Sequence, residues 1–283
     1  MNSGIPRFGR LKGTVPLYMR IRDGFNYDYL CEKAGDHMNN PESAKELLTT
    51  VLYRDHFHRE GQVKRWFVEN ELIEQMMYYP AEVWLPIFEK CLPKLNNNDH
   101  MNTLFHLAGY VLKNLGTDFI RKHWGKWSEE TFRGLTFAAI HCIPLKEAYG
   151  LVTDTLGQMD QRERVICKFV LGWFENRWVL KWIEENVVSP IDVSWGALAA
   201  RSQFDWEHFE KWLTLGRPIS LVALDALGFC LTTPRAPDGH QYKPLINPPT
   251  EITLKNVLEN YQKLDPAVRV RRTIGFLISY SKG

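Results

Sequence analysis

Asp225 is the residue best placed to do chemistry. It lies in the apolar run LVALDALGF. A carboxylate flanked by such neighbours must face solvent, pair with a base or stay protonated, because burying it charged and alone is costly. Bases recur in the segments rich in Gly and Ala: Arg133, Arg162, Arg164, Lys168, Arg201, Arg269, Arg271 and Arg272. If several of them converge, an acidic protein surface or a phosphate backbone is the guest they suit. Asp225 could then meet an Arg of a partner. Trp195, beside Gly196, is the aromatic candidate anchor, because Trp and Arg dominate interface hot spots. The candidate binding set is therefore Arg133, Arg164, Lys168, Arg201, Asp225, Arg271, Arg272 and Trp195.

Metal and nucleotide chemistry find no support. His56 and His58 are two apart in a helical stretch and point to different faces, while His100, His106 and the His141-Cys142 pair lack ligand spacing. There is no H-E-x-x-H, no C-x-x-C, no G-x-x-x-x-G-K-[ST], no G-x-G-x-x-G and no G-x-S-x-G. No cofactor and no metal are expected.

The elements that must position these residues are helices. A segment carrying Trp or other bulky residues is followed by one whose middle holds Gly or Ala. AEVWLPIFEKCLPKL precedes DHMNTLFHLAGYVLK, and TDFIRKHWGKW precedes SEETFRGLTFAAIHC. KEAYGLVTDTLGQ, RWVLKWIEENV and DWEHFEKWLTL lead into RERVICKFVLGWF, DVSWGALAARS and PISLVALDALGFC. Starts recur roughly every 28–36 residues, the period of stacked helical hairpins. Leu221, Leu224 and Gly228 fall at helical spacing without strand-like alternation. Small residues at Ala108-Gly109, Ala138-Ala139, Gly172, Gly196-Ala197, Gly228 and Gly275 would let second helices approach closely, at up to about 1 kcal/mol of helix propensity per Gly.

The final pair differs in detail. EITLKNVLENYQKL follows a long loop, and LDPAVRVRRTIGFL resembles the second half of a HEAT repeat, with Asp265, Pro266, Val268, Arg269 and Gly275 at the matching places. WLPIFEKCLPKLNNND is similar to the first helix and turn of that repeat, prolines Pro86 and Pro93 included. The middle units lack the Asp–Arg ladder and are richer in Trp. The resemblance implies an all-α, right-handed superhelical stack of hairpins, a HEAT-like α-solenoid, with second helices lining the inner curve. It implies binding of other macromolecules. One bacterial branch of the family excises alkylated DNA bases; there, Asp225 would stabilise cationic charge on the sugar and Trp rings would face the lesion.

The expected organisation is an irregular basic extension over 1–40, then the stack over 41–283, interrupted at 231–250 by a segment with five prolines. The extension carries Arg7, Arg10, Lys12, Arg20 and Arg22 before its first acid, Asp23. Net charge is +2 and no apolar stretch reaches membrane-spanning length, so no membrane association is expected. Five cysteines without a paired motif suit free thiols in a reducing cytoplasm. The reading is a non-enzymatic module that clasps a protein partner on a concave face, such as an immunity protein neutralising a toxin or an adaptor. A HEAT-like DNA glycosylase, and hence nucleic acid as guest, is the alternative.

Overall fold

The computed structural model describes residues 44–45, 48, 76–77, 79–126, 129–233 and 242–280. The basic extension, most of the first expected hairpin, His56, His58 and the loop centre at 234–241 lie outside the described residues. Those described are helical, with no strand among them; Asp205 and Ile246 form one isolated bridge. The chain divides into two compact units, 1–157 and 158–283.

In the first unit, α1 (Ala81–Cys91) leads through a 3-10 turn at Leu92–Lys94 into α2 (Asn98–Leu112), whose start is fixed by Asn97 accepting from the Asp99 and His100 amides. Next come a second 3-10 turn at Lys113–Gly116, α3 (Thr117–Trp124), α4 (Glu129–Cys142) and α5 (Leu145–Gln158). The bulky residues of the first helices fill the seams as their type suggests. Trp84 is fully buried and donates to the Met76 carbonyl at 2.8 Å. Trp124 donates to Thr155 Oγ1 at 3.0 Å, which ties α3 to α5. The widest helix contact of this unit is between the two second helices, α2 and α4. They can lie so close because Gly134 faces Asn102: a Cβ at Gly134 would stand 2.2 Å from the Asn102 carbonyl oxygen.

In the second unit, a capping box of Asp160 and Glu163 starts α6 (Gln161–Cys167). The expected long helix RERVICKFVLGWF is not one helix. It tightens after about two turns into 3-10 winding at Lys168–Trp173, where the lysine side chain turns wholly inward. The unit continues with α7 (Asn176–Asn186), α8 (Ser194–Arg201), α9 (Trp206–Thr214), α10 (Ile219–Thr232), α11 (Glu251–Leu264) and α12 (Val268–Tyr280). Here too second helices meet: α8 packs broadly on α10, and α10 on α12. Gly196 makes the first contact possible, since a Cβ there would reach 2.5 Å from the Asp225 Cβ.

Past the undescribed loop centre, residues 242–250 are pinned to this unit. The Ile246 amide donates to the Phe204 carbonyl at 3.1 Å, and the Trp206 amide donates back to the Ile246 carbonyl at 3.1 Å. Tyr242 is buried with its ring 4.5 Å from that of Phe229 on α10.

Candidate functional site

The second unit gathers a set of charged groups that the sequence scatters over more than a hundred residues. Lys168, on the 3-10 turn, has a fully buried side chain. Its ammonium donates to Ser194 Oγ, lies 3.8 Å from Asp192 Oδ1 and sits 4.7 Å from the centre of the Trp195 ring. Burial is the main force on this lysine and lowers its pKa to about 8 against the pull of Asp192. Ser194 begins α8, and both its amide, at 2.8 Å, and its hydroxyl donate to Asp192 Oδ1. The other oxygen of Asp192 is buried without a hydrogen-bond partner.

Asp225 of α10 lies beside this cluster. Burial pushes its pKa up most strongly, Arg269 pulls it down, and the charge of Asp192 pushes it up further. Arg269 reaches across from α12, donating to Asp225 Oδ2 at 2.9 Å and to the Ile191 carbonyl at 3.2 Å. Rings and cations interleave from here toward the loop. Arg201 sits 5.0 Å from the Phe169 ring centre and 5.7 Å from that of Tyr242. Trp182 stacks on Trp195 at 5.5 Å.

A serine hydroxyl touching a lysine is the pairing that some acyl-transfer nucleophiles use. Here the lysine is also held by a carboxylate, and the hydroxyl donates to that same carboxylate. The arrangement braces the 3-10 turn, the 189–193 loop and α8 against one another. Lys168, Ser194 and Asp192 Oδ1 answer each other from within the chain, and only Asp192 Oδ2 of this group is left without a partner.

The first unit carries a different kind of cluster. His106 and Tyr110 of α2 meet Phe137 and His141 of α4, one turn apart on each helix. Phe137 lies 4.8 Å from His106, 4.8 Å from Tyr110 and 4.5 Å from His141, centre to centre. All four are half-buried or exposed, and desolvation of its ring lowers the pKa of His141. Arg133, exposed, continues the row one turn before Phe137. His141 lacks metal-ligand spacing in the sequence but marks this ring surface in the structure, and no group of three metal-binding side chains occurs among the described residues.

The candidate set is thus divided. Lys168 and Trp195, both named in the candidate binding set, are buried. Arg164 is half-buried and donates to the Met159 carbonyl at 2.9 Å; Arg201 is packed between two rings. Asp225 is paired with Arg269 within the chain. Arg133, Arg271 and Arg272 are exposed. Asp192 and Ser194, missed in the sequence, lie in a loop and at a helix start with no local pattern to flag them. Comparison with known proteins finds no matching family, curated protein or solved structure. No described helix is long and apolar enough to cross a membrane.

Proposed function

We propose that the chain is a non-enzymatic binding module whose second helices form the wall that a protein partner contacts. One observation carries this reading. Within each unit second helices of successive hairpins lie side by side with glycine turned into the seam, and the first unit leaves rings and a base on the outward row Arg133, Phe137, His141 and its neighbours His106 and Tyr110. Aromatic and Arg side chains are the residue types that anchor protein interfaces. Repetition of the same packing would give the right-handed, HEAT-like superhelix that the last hairpin resembles. A toxin held by an immunity protein, or the client of an adaptor, suits such a wall.

The glycosylase alternative draws less support. It needs an open Asp225 and a Trp facing a flipped base, whereas Arg269 occupies Asp225 and Trp195 is 5% exposed.

The test is quantitative capture from cells of the source organism using wild-type protein and a Tyr110→Ala/Phe137→Ala variant of matched stability. The reading expects one protein enriched by wild type and reduced at least about tenfold, worth about 1.4 kcal/mol, by the variant. Equal recovery by both forms would overturn the wall as the contact surface.

A further inference from the structure

α12 buries Val270, Ile274 and Leu277 and leaves the opposite side uncovered. Val268 is 54%, Phe276 51% and Tyr280 49% exposed, and the two rings lie 5.8 Å apart. Half of two aromatic side chains amounts to roughly 200 Å² of exposed ring surface. Val268, Arg272, Phe276 and Tyr280 follow one another at intervals of four, the ridge that packs into the groove of another helix.

The charge of this helix is one-sided. It contains Arg269, Arg271 and Arg272 and no Asp or Glu. Arg269 is used by Asp225 and the Ile191 carbonyl. Arg271 and Arg272 are exposed and form no ion pair among the described residues. The acid just before the helix, Asp265, is taken by Arg217 in a two-pronged pair at 2.6 and 2.7 Å. Gly275 stands between the arginines and the rings, and a Cβ there would meet nothing within 4 Å. The glycines at the α2–α4 and α8–α10 seams are each filled by a neighbouring helix.

We propose that this face of α12 docks an acidic amphipathic helix of a protein partner. Its carboxylates meet Arg271 and Arg272, and its apolar side covers Val268, Phe276 and Tyr280. The proposal rests on reading the chain as a protein-binding module, but it uses a surface separate from the α2–α4 row. A second copy is a poor occupant, because face-to-face pairing sets arginines against arginines. A phosphate backbone would meet the guanidinia while leaving the apolar ridge without a matching surface.

The test is fluorescence anisotropy of the full chain with a labelled 21-residue amphipathic helical peptide carrying Glu on its polar face. An isomer with Lys in place of Glu and a 16-base-pair DNA duplex serve as competing probes. We expect the acidic peptide to bind at low salt and weaken as salt rises. Arg271→Glu/Arg272→Glu should cut that binding at least about tenfold and transfer preference to the Lys peptide. Phe276→Ala should weaken the acidic peptide, and Lys181→Ala, on α7, should leave it unchanged. Because Arg271 and Arg272 are exposed, the melting curve of the double variant should match wild type. The proposal is overturned if both peptides bind alike, if the charge swap has no effect, if the duplex binds more tightly than the acidic peptide, or if Phe276 instead governs self-association. Either outcome leaves capture through Tyr110 and Phe137 to be decided separately.

Discussion

Replacing a single hydrogen by a methyl group should have opposite effects at two glycines of the second unit. At Gly196 the new Cβ would stand 2.5 Å from Asp225 Cβ, 2.8 Å from the Ala226 nitrogen and 2.9 Å from the Asp225 carbonyl carbon. Carbon atoms rest at about 3.5–4.0 Å, so α8 and α10 must part locally by about 1 Å or more. That displacement would also disturb the Asp225–Arg269 pair. Overpacking of this kind costs about 1–3 kcal/mol, and the better helix propensity of alanine returns up to about 1 kcal/mol. Gly196→Ala should therefore lose about 1–2 kcal/mol, lowering the midpoint by roughly 2–8 °C. At Gly275 nothing lies within 4 Å, so Gly275→Ala keeps the propensity gain and should be stabilised by up to about 1 kcal/mol. Urea and thermal unfolding followed by circular dichroism measure both. A Gly196→Ala protein as stable as Gly275→Ala would refute the close seam between second helices.

Three further outcomes follow. Lys168 titrates near 8 when folded against 10.5 when free. The unfolded chain then binds more protons between those values, so this lysine's contribution to stability rises as pH climbs from 8 toward 10.5. Compared with Lys168→Met, wild type should gain relative stability over that window in chemical unfolding at stepped pH; a flat difference would contradict burial of the ammonium. A double-mutant cycle on Asp225→Asn and Arg269→Ala should give a coupling of about 1 kcal/mol, because the arginine remains half exposed, and zero coupling would dismiss the pair. Gly134→Ala should destabilise the first unit as Gly196→Ala does the second, since its Cβ would meet the Asn102 backbone; near-neutral unfolding would remove that seam.

The helices were legible in the sequence because bulky residues recur at helical spacing and small residues mark the seams; the caps Asn97, Asp160, Asp205 and Thr250 show only in the folded chain. The short α6 was not, because the inward turn of Lys168 depends on a carboxylate 24 positions away. Local pattern also fails for the charges. Asp225 stood out in its apolar run, but its partner Arg269 is 44 residues distant. Lys168 sits in an equally apolar run, ICKFVL, which makes the same demand on a charged group: face solvent, find a partner or lose the charge. Ser194 and Asp192 sit where the 189–193 loop joins α8, and only the folded chain places them under Lys168. The ring row on α2 and α4 escaped for a related reason: period alone says which residues share a helix face, not which faces of two helices adjoin.

Photo-crosslinking in living cells addresses the binding wall most directly. A benzoylphenylalanine at position 141, on the α4 row, is compared with one at position 181, on α7. Position 141 should give one discrete protein adduct that is absent from position 181. Identical adduct patterns at both positions, or no protein adduct at 141, would contradict the binding wall.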